Sequence, residues 1–512
     1  MSFSASKHTS VPWLLVALLG ALNAASLSWP AQWVFEYGHS VWWLHLLSIA
    51  GFYAVMTAKE HIKRTCLLAL VFVTINLACI FAWLFTAMHT YGGLAAWMSV
   101  IALLGLAAAL GTYYALASML LSRLRSLSTL LHTLCFAALW TAAELARGSW
   151  LTGFGWGAPG YAHVDSPLSG YAPWVGVYGV GAIVLWIAAT VAKLHRVTRT
   201  HIAVAVLVLL GGIPLKQLAW TQSTGAISVA LLQGNIAQSE KFEESTGVPA
   251  ALAWYAEKML TSTAQLTVAP ETAIPLLPQE LPPGYWSRIE AKYASERHAL
   301  MTGIPLGDYK TGYTNSVIAV PAAASSEYTY AKHHLVPFGE FIPPFFRWFT
   351  QMMNIPLGDF NRGPVGQPSF KFADQRLAPN ICYEDLFGEE LGARFIDPAL
   401  APTIFVNVSN LGWFGGGQVI DQHLQISRMR ALEFERPFAR ATNTGATVIM
   451  NHKAQVLASL PRMTQGVLTG TVEGRTGTTP FAWWVSRAGL WPYWIVILLV
   501  LGAAWRANSK SA

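Results

Sequence analysis

The chain has 512 residues, of which 54% are hydrophobic and only 12% charged, with a formal net charge of +7. That charged fraction is about half the usual value for soluble proteins, which excludes a wholly soluble enzyme. The basic excess does not point to nucleic acid: residues 221–485 hold 19 Lys/Arg against 22 Asp/Glu, and the remainder holds 14 against 4.

Eight stretches are apolar over the roughly 20 residues that a bilayer requires, at roughly 11–29, 41–58, 66–88, 94–121, 130–146, 171–192, 201–220 and 487–505. The seventh is the weakest, because its charge-free core ends at Lys216. Lys7 followed by an apolar run and ALNAAS also fits a signal peptide. The run is longer than the usual h-region, so it is read as a retained helix. Lys7, Lys59, Lys63, Arg64, Arg123, Arg125, Lys193, Arg196, Arg199, Arg506 and Lys510 all fall on one side of these segments. The opposite side has Arg147 in a loop, with Lys216 and Arg487 at helix ends. Basic residues mark the cytoplasmic side. Both termini are therefore expected in the cytoplasm, with residues 221–485 outside, which in a bacterium is the periplasm.

The first four segments carry no charge in their cores and read as scaffold. The fifth ends ELARGSWLTGFGWG, placing Glu144 and Arg147 three apart on one helical face. Ionisable groups at membrane depth are functional candidates. A structural ion pair is the simpler reading here. The Gly/Trp-rich loop that follows, through Tyr161, is suited to the headgroup level. Paired broken helices of the kind found in transporters are not evident.

From about residue 225 the pattern changes. ISVALLQGNI, QLTVAPETAI, HALMTGIPL, TNSVIAV, RLAPNICYEDLF, APTIFVNVSN and GATVIM read as short strands. Helical stretches are expected near 247–264, 284–296 and 420–436. Strands alternating with helices predict an α/β domain. The expected organisation is a membrane part at 1–220, an outer domain at 221–485, and a last membrane helix with its tail at 486–512.

Of the four cysteines, Cys66, Cys79 and Cys135 fall in apolar segments and Cys382 alone in the outer domain. A single thiol in an oxidising compartment has no intradomain disulfide partner and is a candidate reactive group. It sits in PNICYEDLF, with VAPETAI (Glu271) and YAKHHLVPFGEF (Lys332, Glu340) upstream. A neutral thiol needs help to attack. A nearby ammonium favours the thiolate, and a carboxylate can take its proton. The same ammonium can stabilise an oxyanion, as can backbone N–H groups after Cys382. His333 and His334 fit no zinc spacing, and no metal is expected. His423 is read as a surface or packing residue of its helix.

A Glu271–Lys332–Cys382 triad resembles that of the nitrilase (carbon–nitrogen hydrolase) superfamily. Placed between the seventh and eighth membrane segments, it resembles the apolipoprotein N-acyltransferase family. The likeness runs through ELARG…GFGW, QGN…QSEKF, PET, YTNS, YAKHHLVPFGEF, CYED, SNLGWFG, HLQISRMRALEFERP and RATNTG. It implies eight transmembrane helices and an αββα sandwich in the periplasm of a bacterial inner-membrane protein. It also implies transfer of an acyl chain from a phospholipid, through a cysteine thioester, to the α-amine of a diacylglyceryl-modified N-terminal cysteine of an apolipoprotein. Cys382 is then the nucleophile, Glu271 the general base and Lys332 the oxyanion stabiliser. Glu340, Tyr383 and Glu384 support them. Trp413 and Phe242 line or gate the pocket, and no cofactor, nucleic acid or second subunit is called for. Two departures bear on loop geometry: Phe242 stands where a tryptophan is expected, and Leu411-Gly412 replaces a pair containing aspartate. The apolar run Pro343 to Phe360, with Trp348 and Phe349, is expected to dip into the interface and admit acyl chains. The triad is equally that of a membrane-tethered amidase with water as acceptor.

Overall fold

The computed structural model describes residues 11–58, 61–124, 127–294, 297–323, 326–343 and 360–509. They form two compact units, one of residues 11–85, 95–218 and 490–509, the other of 86–94 and 219–489. The apolar arm with Trp348 and Phe349 lies outside the described residues.

The first unit is helical: α1 (Val11–Leu27), α2 (Trp42–Met56), α3 (Ile62–Ile80), α4 (Ala96–Ser122), α5 (Thr129–Ser149), α6 (Ala172–Ala192), α7 (Arg199–Leu215) and a last helix, Trp491–Ser509. Every apolar stretch of the sequence thus contains a helix. Length separates them. Among the described residues four helical segments are long and apolar enough to cross a membrane, Ile62–Ile80, Ala96–Ser122, Thr129–Thr152 and Pro167–Ala192. Pro480–Ala488 with Trp491–Ser509 passes only as a bent pair, and α1, α2 and α7 have apolar cores of 10–17 residues. For α1, α2 and α7 the apolar stretch runs past the helix end: α7 stops at Leu215, one residue after Pro214. Small residues bring these helices together. A Cβ on Gly20 of α1 would fall 2.6 Å from the Phe72 carbonyl oxygen of α3.

Glu144 and Arg147 of α5 are buried and paired at 2.7 Å. Arg147 Nε also donates to the Tyr114 hydroxyl (2.8 Å), and Nη1 donates to the carbonyls of Phe154 (2.6 Å) and Trp156 (2.8 Å). The guanidinium therefore pins the Gly/Trp-rich loop to α5, and the pair is structural. Arg147→Met leaves a buried carboxylate with only the Tyr114 hydroxyl (2.6 Å) and no counter-ion, and two carbonyls without the guanidinium. Breaking such a pair costs about 3–5 kcal/mol, so the unfolding midpoint in detergent is expected to drop. An unchanged midpoint would refute this.

The second unit has two six-stranded sheets among the described residues. The first sheet is built from β1 (Thr221–Gln233), β2 (Leu266–Val268), β3 (Ala299–Asp308), β4 (Gly312–Ala323) and β5 (Ser326–Ala331). The second takes β6 (Phe370–Phe372), β7 (Gln375–Ile381), β8 (Ile404–Ser409), β9 (Phe438–Thr442), β10 (Val448–Met450) and β11 (Val456–Ser459). The last strand, β12 (Gly466–Gly477), returns to the first sheet beside β1, giving the order β12-β1-β2-β3-β4-β5 against β11-β10-β9-β8-β7-β6. In each sheet the central strands run parallel, β1-β2-β3 and β7-β8-β9. β2, β7, β8 and β9 are buried almost throughout, as doubly covered parallel strands are, while β1 is buried along its second half and β3 along its first.

Helices α8 (Gly247–Thr261) and α9 (Tyr285–Tyr293) cover the first sheet, burying Leu252, Tyr255, Met259, Ile289 and Tyr293. Helices α10 (Val419–Phe434) and α11 (Pro480–Ala488) lie on the second, where Phe434 stacks on Phe395 at 4.9 Å and meets Phe405 edge-on at 5.7 Å. The result is an α/β sandwich of the expected αββα kind. The catalytic candidates all sit where strands of the two sheets end.

Candidate active site

Cys382 follows the last residue of β7 and opens a tight helical turn, Cys382–Leu386. Its φ is 52°, a left-handed value that costs a non-glycine residue energy and recurs at functional sites. Glu271 stands three residues beyond β2, and Lys332 directly follows β5. Gly303 on β3 makes room for the Glu271 turn: a Cβ there would lie 2.5 Å from the Pro270 carbonyl oxygen and the Thr272 nitrogen.

The structure brings Glu271, Lys332 and Glu340 into one buried cluster. Lys332 Nζ lies 3.2 Å from Glu271 Oε1 and 2.9 Å from the Glu340 carboxylate. Asn315 of β4 donates to both carboxylates, at 2.8 Å to Glu271 and 2.6 Å to Glu340. The Asn410 backbone N–H donates to Glu271 Oε2 at 2.8 Å. Glu340 is held in turn by the Val336 N–H at 2.8 Å. Burial pulls the Lys332 pKa down, but Glu271 and Glu340 outweigh it, and the ammonium is held above its ordinary value.

Burial pushes the Cys382 thiol up to about 12, and Glu271 adds to the shift; Lys332 and the Asn410 amide pull the other way. Lys332 thus favours the thiolate, as expected, against the larger effect of burial. Glu271 and Glu340 add to the effect of burial, and the thiol is held above its ordinary pKa. A thiol held protonated in this way could attack only with a base to take its proton.

Glu384 is buried beneath these groups. It accepts from the Ile381 N–H (2.7 Å), just before Cys382, and from the His333 N–H (2.7 Å), just after Lys332. The Tyr330 hydroxyl completes its shell at 2.9 and 2.8 Å. One carboxylate thus ties β7 to β5 and sets the spacing of Cys382 and Lys332. Tyr383 packs edge-on against Phe387, at 5.3 Å, and beside His334. His334 Nδ1 lies 2.9 Å from Glu390, and His333 Nδ1 lies 2.7 Å from the Gly363 carbonyl.

The gating candidates divide. Trp413, half-buried in the turn Gly412–Phe414, meets the ring of Tyr91 edge-on at 5.6 Å. Phe242 is 47% exposed and joins none of these contacts.

Other residues of the site carried no assigned role in the sequence. Asn315 lies in YTNS, Asn410 in SNLGWFG and Lys241 in QSEKF, and each motif was visible without revealing its geometry. Lys241 is buried and its Nζ donates to the Glu271 carbonyl oxygen at 3.1 Å. Burial lowers its pKa to about 8 despite Glu271 and Cys382. Asn410 also donates to Gln238 (2.8 Å) and accepts from Asn443 (3.1 Å), which joins the loops after β1, β8 and β9 beneath the site. His423 is fully buried against Cys382 rather than on the surface of its helix.

Residues 19–190 match the family model of the apolipoprotein N-acyltransferase N-terminal domain, and residues 228–481 match that of carbon-nitrogen hydrolases. A protein of Verminephrobacter eiseniae (strain EF01-2) named apolipoprotein N-acyltransferase is 54% identical over 507 residues, covering 94% of this chain and 93% of its own. One of the same name from Ralstonia nicotianae (strain ATCC BAA-1114 / GMI1000) is 43% identical over 504 residues, covering 97% of this chain and 94% of its own. Similarity of that degree over nearly the full length, spanning both the helical unit and the sandwich, means that the chain belongs to the apolipoprotein N-acyltransferase family.

Proposed function

We propose that this protein transfers an acyl chain from a phospholipid to the α-amine of the diacylglyceryl-modified N-terminal cysteine of apolipoproteins, by way of a thioester on Cys382. The observation that carries the reading is the buried cluster in which Lys332 meets both Glu271 and Glu340, with Cys382 close enough to feel all three charges. In the first half-reaction the sulfur attacks the ester carbonyl while Glu271 takes the thiol proton. The Lys332 ammonium faces the oxyanion. The C–O bond then breaks, the proton passes to the departing lysophospholipid oxygen, and the thioester remains. In the second, the amine attacks the thioester and gives its proton to Glu271. The C–S bond breaks, an amide forms and the proton returns to sulfur.

The helical unit supports a membrane setting for both lipid substrates. The fuller arrangement belongs to the same proposal: eight spans in a bacterial inner membrane, residues 221–485 in the periplasm, and a monomer at work. A span of roughly 20 residues is needed for a straight crossing, so α1, α2 and α7 would cross where flanking residues or local thinning make up the difference. Reporter fusions after Ser223 and after Ala512 are expected to report periplasm and cytoplasm respectively. A cytoplasmic signal at 223 would sink this topology.

The chemical test is mass spectrometry of the purified protein with phospholipid. An acyl adduct on Cys382 is expected, discharged by a peptide bearing the diacylglyceryl-modified cysteine. An adduct that persists with that peptide yet decays in water would mark a hydrolase instead.

A further inference from the structure

The peptide between Cys382 and Tyr383 is held from behind. His423 Nε2 lies 3.1 Å from the Cys382 carbonyl oxygen, and its Nδ1 lies 2.8 Å from Arg440 Nη2. A guanidinium has donors and no acceptor, so Nδ1 accepts in that pair. A neutral imidazole then carries its single proton on Nε2, and Nε2–H donates to the Cys382 carbonyl.

Arg440 is itself fixed in place. Its Nη1 donates to Ser427 Oγ (2.6 Å) and to the His423 carbonyl (3.2 Å), and the Ser427 hydroxyl donates to Asp385. The Asp385 carboxylate lies 3.8 Å from His423 Nε2 and 3.9 Å from Arg440 Nη1. His423, Arg440 and Ser427 are fully buried. Burial, the Arg440 cation and the more distant Lys332 keep the ring well below its ordinary pKa, so it stays neutral.

A trans peptide points its N–H opposite to its C=O, and no cis bond occurs at Cys382-Tyr383. With the carbonyl turned towards His423, the Tyr383 N–H is turned the other way. A hydrogen bond received by an amide oxygen also polarises the amide and strengthens its N–H as a donor.

We propose that His423, its tautomer set by Arg440, is a positioning residue that aims and strengthens the Tyr383 backbone N–H as an oxyanion donor. The inference rests on the acyl-transfer reading above, since that chemistry places negative charge on a carbonyl oxygen beside Cys382. What it adds is the residue that holds the backbone donor acting beside the Lys332 ammonium. It also gives the left-handed backbone of Cys382 a holding contact.

Two reactions at the same sulfur separate aiming from general structure. Acylation by phospholipid passes through an oxyanion. Alkylation by iodoacetamide, a displacement at a CH₂ carbon, does not. In the purified full-length protein, His423→Leu is expected to slow single-turnover acylation about ten- to a hundredfold, less than the roughly 10²–10³ for loss of a whole oxyanion donor. Alkylation should stay within about twofold of wild type, and His423→Gln, whose amide can donate to the same carbonyl, should recover most of the acylation rate. Equal losses in both reactions, or normal acylation in His423→Leu, would overturn the proposal. Should His423→Leu fail to fold, the native protein still decides. Nitrogen NMR of histidine-labelled protein should show His423 protonated on Nε2 alone from pH 6 to 9, and a proton on Nδ1 would overturn the assignment. A wild-type protein that forms no acyl adduct would instead refute the acyl-transfer reading, with the ring's tautomer still measurable.

Discussion

Cys382→Ala is expected to abolish turnover, and Cys382→Ser to retain less than about one part in a thousand, the scale of loss when a nucleophile is removed. The remaining cysteines offer no substitute, because Cys66 and Cys79 lie on α3 and Cys135 on α5, all in the helical unit. Serine fails for a different reason from alanine. Its hydroxyl is much harder to deprotonate, and the base at hand is already committed: Glu271 accepts from Asn315, Asn410 and Lys332. Those contacts stabilise the carboxylate as an anion and weaken it as a base. It suffices for a thiol attacking in concert with proton loss, and falls short for an alcohol. Both variants should keep the wild-type unfolding midpoint within a degree or two, since a sulfur atom or its oxygen counterpart is a small change in a packed site. Measured phospholipid acylation and peptide transfer at wild-type rates in either variant would end the thioester mechanism.

Much of the site could be read from the chain because its chemistry sits at strand ends. Glu271, Lys332 and Cys382 lie in short runs where a strand stops and polar residues begin, a pattern visible in one dimension, and Glu340 shares the lysine's motif. The groups that hold them are not of that kind. Asn315 and Asn410 are ordinary polar residues until β4 and β8 bring them to the two oxygens of Glu271. Helix α10 shows the limit best. IDQHLQISRMRALEF is polar enough to read as a solvent-facing helix, yet nearly all of it is buried. Many of its polar groups find partners in one another and on neighbouring strands, as with Arg430 and Glu433 at 2.7 Å. Periodicity reports which residues are apolar, not which polar residues have found partners.

Strands failed for related reasons. β9, FARAT, carries an arginine in a fully buried strand, tolerable only because Ser427 and His423 receive it. β12, GVLTGTVEGRTG, is glycine-rich and half-exposed, and its register is set by β1, more than 200 residues away. β5 ends in the alanine before Lys332 and was seen only as the lysine's motif. The apolar helices were the reverse case. Their composition is plain, but their ends depend on capping and packing, so among the described residues fewer helices are long enough to span than there are apolar stretches.

Glu271→Gln should move two reactions of the same thiol in opposite directions. The carboxylate has two effects on Cys382. As a base it takes the proton during acyl transfer, and as a neighbouring negative charge it raises the thiol's pKa, second only to burial. Glutamine removes both. Loss of the base should cut acylation by about 10²–10⁴, leaving Cys382 unmodified by saturating phospholipid on the timescale of wild-type turnover. Loss of the charge lowers the thiol pKa, so more thiolate is present at any pH below it. Lys332 and the Asn410 amide, which favour the thiolate, remain in place. Each unit of fall multiplies the thiolate fraction about tenfold, while intrinsic nucleophilicity drops about threefold for a Brønsted slope near 0.4–0.5. The net is a gain of about threefold per unit, so iodoacetamide at pH 8 to 9 should label Glu271→Gln faster than wild type. A variant that merely distorted the site would slow both reactions. One that acylated normally would show that another group takes the proton, and the neighbouring Lys241 amine, brought down to about 8, is the first to examine.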